Sequence, residues 1–376
     1  TGSGKEPAIE NLMLTNGWRR FNWKNILQNQ QPVFSFVPEV NGHIITGTVI
    51  NTKTGNSQNG IESFLSVPGT RLQFYPSASD SNGHVKFEMK NFYGSSEIIV
   101  QAGTEYDSIY RLDVNTPFAT NFSAARLPAF HLPESAPNTL LEKSIGMQVQ
   151  NIYSADKIKQ FIFPVADTST FYLHADQQYL LDNYTRFTTM EEVLREYVAL
   201  VNVSKREGKY HFPVFDLLTN LVFNSDPLNL LDGVPVFDLN KFLTVDPLQL
   251  QKLEVLNRRY IYGGSSFNGI LNWTSYKGNL ANYEPDAFTV SLDYEALQIQ
   301  REFYAPVYNN EEQRSNHLPD FRNVLMWSPD IKVANNGNQK LEFFTSDLPG
   351  KYAVLVQGIS SNGLCGSRTL FFNVEK

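Results

Sequence analysis

The residues able to carry chemistry in this 376-residue chain are few and scattered. Its six histidines, His43, His84, His131, His174, His211 and His317, stand far apart, and no two have H-x-x-x-H or H-x-H spacing. A zinc site asks for imidazoles or thiolates brought onto one face at short spacing, so the pattern predicts no metal. His43 and His84 fall in predicted strands, where a hydrogen-bonded structural role is the expectation. The single cysteine, Cys365, excludes an internal disulfide and a thiolate-built metal centre. No G-x-S-x-G elbow offers a hydrolase nucleophile. Gly263-Gly264 lacks the following lysine and helix cap that a phosphate loop needs. The carboxylate pairs Asp226/Asp232 and Glu191/Glu192 suit a glycosidase in type, but they sit at expected turns and caps, where Asp and Glu satisfy backbone groups. Trp18, Trp23, Trp273, Trp327, Tyr304 and Tyr308 could line a sugar- or protein-binding surface, with core filling as the alternative. No catalytic residue, cofactor or metal is expected.

The elements that would position these side chains are mostly β. Hydrophobic residues make up 41% and aromatics 13%, with 27 Phe and 18 Tyr, while charged residues are only 18%. The usual charged share is about 25%, and a Phe/Tyr-rich, charge-poor chain favours short strands and turns over long solvated helices. The length suits about two to four domains. The net charge of −7 is spread along the chain, and with no basic face a nucleic-acid partner is excluded. No run approaches the ~18 apolar residues that a membrane-spanning helix requires. Residues 1–7 show no basic-then-apolar signal pattern, so an exported chain would be in a mature or trimmed form.

Residues 11–27, N-L-M-L-T-N-G-W-R-R-F-N-W-K-N-I-L, have no partner element before them and read as the end of an upstream domain. Strands are predicted at 42–50, 71–75, 84–89, 97–102 and 109–114, with turns at T-K-T-G-N and D-S-N-G, the spacing of a small sandwich. Asp80 can close an Asx-turn, and Gly83 can supply the positive φ that the following hairpin strand needs. The pair I-T-G-T-V-I-N-T-K-T-G at 45–55 and D-S-N-G-H-V-K-F-E-M at 80–89 resembles the carboxypeptidase-regulatory-like (transthyretin-like) domain. That module carries no catalysis of its own. The Pro-, Ala- and Ser-rich stretch that follows reads as a connector, with one short helix near 139–147.

Next, Thr188 is an N-cap candidate with Glu191 completing a capping box. Met190, Val193, Leu194, Tyr197, Val198 and Val201 then trace one apolar helical face. Strands are predicted at 209–215, 228–231 and 234–237, the last two joined by a tight Asp232-Gly233 turn. Asp246 caps a short helix with Pro247 in its first turn. A strand at 253–256, a Tyr262-Gly263-Gly264 loop and a strand at 270–276 complete an α/β alternation. The order D-P-L-N-L-L-D-G-V-P, D-P-L-Q-L-Q-K-L-E-V-L, Y-G-G-S-S-F-N-G-I-L-N-W-T-S-Y-K-G resembles the plug domain of TonB-dependent outer-membrane receptors. The resemblance rests on Asp232, Gly233, Pro235, Glu254, Gly263, Gly269, Lys277 and Gly278, to which it assigns structural roles. Where plugs continue E-V-L with a basic residue and Gly-Pro, this chain has Asn257-Arg258-Arg259-Tyr260, so a loop of different shape is expected there.

The last segment, with L-P-D-F-R-N-V-L-M-W-S-P-D-I, an alternating strand at 340–344 and D-L-P-G-K-Y before a central strand, resembles an α2-macroglobulin-type sandwich. In that family a thioester sits in Cys-Gly-Glu-Gln. Here Cys365 is followed by Gly366, Ser367 and Arg368, so the glutamine is missing and Cys365 is expected to be a small buried filler.

The expected fold is thus multidomain and mainly β. It has an upstream remnant at 1–31, an Ig/transthyretin-like β-sandwich at 32–117, a connector at 118–170, a small α/β plug-like domain at 171–283 and a C-terminal macroglobulin-type β-sandwich at 284–376. The combination is similar to Bacteroidota-type envelope proteins. A plug without a barrel cannot transport. The resemblance therefore implies a non-enzymatic, exported, outer-membrane-associated scaffold, periplasmic or on the cell surface, whose partners are an outer-membrane β-barrel or other envelope proteins. The alternatives are a thioester-less macroglobulin-like protein that binds proteases or secreted clients, and a surface carbohydrate-binding protein.

Overall fold

The structure is a computed structural model describing residues 24, 27–30, 39–103, 109–118, 129, 131–133, 136–165, 168–286, 289–333 and 337–375. The remnant expected at 1–31, with Trp18 and Trp23, lies almost wholly outside the described residues. The chain is mainly β, with several small antiparallel sheets and few helices. It divides into two compact units. The first draws on Thr1–Phe92, Ile98–Asn115 and Phe171–Ser291, and the second on Tyr93–Glu97, Thr116–Thr170 and Leu292–Lys376.

In the first unit the early strands are β1 (His43–Asn51), β2 (Glu62–Ser66), β3 (Phe74–Ala78), β4 (His84–Met89), β5 (Ser95–Ala102) and β6 (Tyr110–Val114). One sheet places β1 between β4 and β6; in a second, β2 lies between β3 and β5. β4 shows why such a segment is a strand. Val85, Phe87 and Met89 are buried while His84, Lys86 and Glu88 point outward, the period-two pattern of a half-buried sheet. The turn before it forms as its chemistry predicts: Asp80 Oδ1 accepts from Asn82 N at 2.8 Å and His84 N at 2.9 Å, and Gly83 has φ 79°. Two strands differ from expectation. β2 has no alternation to read, because four of its five residues are buried. β3 runs through Pro76, where sequence reasoning stops a strand; an edge position tolerates the missing donor.

The remainder of this unit centres on a five-stranded sheet. Its strands are β7 (Gln177–Leu180), β8 (Leu228–Leu231), β9 (Val234–Pro235), β10 (Leu250–Tyr262) and β11 (Ser265–Ser275), in the order β9-β8-β11-β10-β7. β8 and β11 pair in parallel, and the other neighbours are antiparallel. The helix Met190–Tyr197 starts one residue later than expected, with Thr189 as N-cap accepting from Glu192 N at 3.3 Å. Thr188-Thr189 followed by Glu191-Glu192 offers two cap frames, and the adopted one buries Met190, Val193 and Leu194. The helix also stops at Tyr197; Val198 and Val201 stay buried in non-helical chain, where Val201 bridges Val214.

The 257–260 segment is not a loop. β10 continues through it to Tyr262, with a register shift between Leu256 and Arg259 opposite Gly269, which has φ 93°. This is a β-bulge held from outside by Asp176, which accepts from Asn257 N at 3.0 Å and pairs with Arg258.

One core cluster joins Phe64 and Phe74 of the early strands to Tyr172, Leu228, Leu230, Leu256, Phe267 and Ile270. The regions expected to be separate sandwich and plug-like domains therefore share a continuous apolar core within this unit.

The second unit contains the helix Ala136–Ile158, far longer than the expected 139–147, with Pro137 in its first turn, where a proline costs no hydrogen bond. The pair β12 (Gly350–Ile359) and β13 (Cys365–Val374) forms a ten-register hairpin. The strand expected at 340–344 does not form; that stretch carries no regular secondary structure. Cys365 is exposed, not the buried filler expected; it stands beside the 360–364 turn of the hairpin, opposite Ile359.

Candidate functional site

Of the residues singled out from 232 to 278, Asp232, Gly233, Gly263 and Gly278 face one segment, 69–76, of the first unit. Asp232 and Gly233, with φ 48° and 85°, make the two-residue turn between β8 and β9. The Asp232 side chain turns inward. Oδ1 accepts from Ser275 N at 2.7 Å, and Oδ2 accepts from the Ser275 hydroxyl at 2.6 Å and Leu280 N at 2.8 Å. Ser275 Oγ in turn accepts from Gly278 N at 2.9 Å. A buried carboxylate with this many donors organises the chain around it. Pro235 is buried in β9, and its carbonyl accepts from Gln101 Nε2 at 2.8 Å.

Two motif glycines, Gly263 and Gly278, are explained by what crowds them, while Gly233 is in ordinary contact and is fixed by its positive φ. A Cβ on Gly278 would lie 2.7 Å from Thr70 N, one on Gly263 2.6 Å from Pro76 Cγ, and one on Gly233 3.5 Å from Leu72 Cδ1. Asp232 O also accepts from Gly69 N at 3.2 Å. Four motif positions thus abut the single segment 69–76. These positions close the 232–278 region onto the segment before and within β3, a relationship with no signal in local sequence. Lys277 takes no part; it is exposed.

Glu254 belongs to a second polar cluster. Its Oε2 accepts from Tyr172 OH at 2.8 Å and Asn272 Nδ2 at 3.2 Å, with Lys252 Nζ at 3.1 Å, and Asn272 sits directly across the ladder from it. Trp273 is wholly buried, and its Nε1 donates to Asn229 Oδ1 at 3.0 Å.

The carboxylate pairs are not brought together for acid–base chemistry. Asp226 accepts from Phe212 N at 2.6 Å and lies 2.7 Å from His211 Nδ1, whereas Asp232 serves Ser275 and Leu280. The Arg195 guanidinium hydrogen-bonded to Glu191 holds that carboxyl below its ordinary value, and Glu192 serves the Thr189 cap. Among the described residues no group of three or more His, Cys, Asp or Glu is placed to hold a metal ion. No helix among them is long and apolar enough to cross a membrane.

The second unit holds an open groove of about 870 Å³ between the C-terminal half of the helix Ala136–Ile158 and the 301–327 segment. Tyr304, Tyr308 and Trp327, three of the aromatics named from sequence, line it. Its floor is built by Arg322, which donates to Asp320 from Nε at 2.8 Å and Nη2 at 2.8 Å, and to Leu325 O from Nη1 at 2.9 Å. Burial, followed by the nearby Asp320 charge, pushes the Tyr308 phenol up to about 12. What sequence reasoning missed is the helix wall; Tyr153 and Gln150 come from the stretch read as connector.

No protein-family model, curated protein or solved structure matches this chain.

Proposed function

We propose that this chain is a non-enzymatic interaction subunit of a cell-envelope complex, associated with the outer membrane. In this reading the first unit is a plug-like and transthyretin-like scaffold, and the second presents a docking surface to a β-barrel or other envelope protein. One observation carries it. The helix Ala136–Ile158 buries only Gly146, while Leu141, Ile145 and Ile152 are 61%, 50% and 74% exposed. With Gln148 and Ala155 these positions follow the 4-3-4-3 spacing of a helix-packing seam, on the side away from Gly146. An apolar seam left in solvent marks a surface built to be covered by a partner. The carboxylates suited to acid–base work are meanwhile engaged in caps and turns, which supports a binding role over a catalytic one.

The test is affinity purification of the full chain from detergent-solubilised outer membranes, beside the Leu141→Glu/Ile145→Glu/Ile152→Glu variant. A membrane protein retained by the native chain and lost by the folded variant is the expected result. A strictly monomeric soluble pool without a membrane-bound partner would overturn the proposal.

A further inference from the structure

The groove of the second unit has a chemistry distinct from that of the helix seam. Its exposed walls are aromatic: Trp327 is 65% and Tyr153 51% exposed, and Lys157 Nζ stands 5.5 Å from the centre of the Tyr304 ring. Its uncommitted polar groups are planar and neutral. Neither the Gln150 and Asn323 amides nor the Trp327 indole N–H enters a hydrogen bond among the described residues. Its charges are largely spent or offset. Arg322 is saturated by Asp320 and backbone carbonyls, Arg301 Nε donates to Ile158 O at 2.9 Å, and the lining also carries Lys157 and Glu302, of opposite sign. The volume lies within the range of small-ligand sites.

A pyranose presents apolar C–H faces and a rim of hydroxyls that both donate and accept. Exposed aromatic faces answer the first, and side-chain amides, each with a donor and an acceptor side by side, answer the second. An extended peptide fits less well. The lining run 302–308 carries Pro306 in its middle, which removes a backbone donor where an added strand would need a continuous ladder.

We propose that this groove binds a short neutral oligosaccharide, with Trp327 and Tyr153 as stacking platforms and Gln150 and Asn323 reading the hydroxyls. This inference stands independently of the docking role proposed above.

The test is titration calorimetry and tryptophan fluorescence on the full chain with short cello-, malto-, manno- and xylo-oligosaccharides. A sulfated oligosaccharide and an apolar peptide library form separate arms. At least one neutral series should bind saturably, and Trp327→Ala and Asn323→Ala should each weaken it by about tenfold or more. Ile359→Ala, on the exposed hairpin of the same unit, should leave binding unchanged, and circular dichroism should report an intact fold for all three variants. No saturable binding by any neutral series would overturn the proposal, as would binding indifferent to both groove variants. Binding of the sulfated sugar alone, abolished by Lys157→Ala, would reassign the groove to anionic ligands. Binding of peptides alone would reassign it to protein.

Discussion

Asp232 and Ser275 are joined twice, the serine amide donating to one carboxylate oxygen at 2.7 Å and its hydroxyl to the other at 2.6 Å. The pair ties the β8–β9 turn to the end of β11, and through Leu280 N it fixes the chain leaving the sheet. Asp232→Asn keeps the side-chain shape and tolerates the positive φ, but sets an amide N–H against one of these donors. Hydrogen bonds to a charged group contribute about 1.5–3 kcal/mol each, and a buried unpaired donor costs about 1–3 kcal/mol. A loss of about 2–4 kcal/mol is expected in urea unfolding, and a loss below 0.5 kcal/mol would remove Asp232 from its organising role.

Two adjacent glycines separate backbone strain from crowding. Gly263 and Gly264 both have positive φ, at 58° and 89°, but a Cβ on Gly264 meets nothing within 4 Å, whereas one on Gly263 falls 2.6 Å from Pro76 Cγ and 2.8 Å from Pro76 O. Gly264→Ala should cost about 1–2 kcal/mol, the left-handed penalty alone. Gly263→Ala should add about 1–3 kcal/mol for overpacking against rigid Pro76. Equal midpoints for the two variants in denaturant would contradict the close approach.

The shared core predicts shared unfolding. Phe64 lies in β2, and its ring centre is 5.4 Å from Phe74 and 6.3 Å from Phe267 of β11. Phe64→Ala should destabilise by about 3–5 kcal/mol. Native-state hydrogen exchange should show that loss in the amides of β10 and β11 as well as β2. Protection lost in β1–β6 alone would mean that the two regions unfold independently.

Tyr262 contributes to an alkaline limit, as Tyr308 does in the second unit. Burial, then the neighbouring Tyr75 and Tyr260, pushes its phenol from 10.0 up to about 12. The unfolded chain loses this proton first, so between pH 10 and about 12 it binds fewer protons than the folded chain, and stability falls as pH rises. The contribution is intact below pH 10. Unfolding midpoints should drop across this window, and Tyr262→Phe should flatten the drop. An unchanged slope in the variant would show that another group sets the limit.

In the second unit, Arg322 and Asp320 are 8% and 10% exposed, and the guanidinium also holds two carbonyls. Arg322→Ala leaves a buried carboxylate unpaired, for which a loss of about 3–5 kcal/mol is expected. Arg322→Ala/Asp320→Ala should recover part of that loss in a double-mutant cycle.

Local chemistry made much of the fold legible. The Asp80 turn, the Asp232-Gly233 turn and the Asp246-Pro247 cap each depend on residues a few positions apart, so residue type alone specifies them. β4 could be bounded to the residue because period and punctuation agree, and β8 because Pro227 and the Asp232-Gly233 turn bracket it. The Thr188/Thr189 ambiguity, the buried β2 and the bulged β10 escaped because burial, not propensity, selected the frame, the strand and its length. The groove was half visible: Tyr304, Tyr308 and Trp327 stood out as aromatics, whereas Gln150 and Tyr153 lay in the stretch read as a connector.

By itself, then, the sequence determined the mainly β character, the Asp80 and Asp232-Gly233 turns and the Asp246 cap, since these are settled by φ preferences and short-range hydrogen bonds. Only the tertiary structure decided what the motif residues are for. Gly233, Gly263 and Gly278 meet Leu72, Pro76 and Thr70, and Asp232 meets Ser275, because sheet pairing brings together backbone that lies far apart along the chain. A glycine announces that something must come close, and only packing says what.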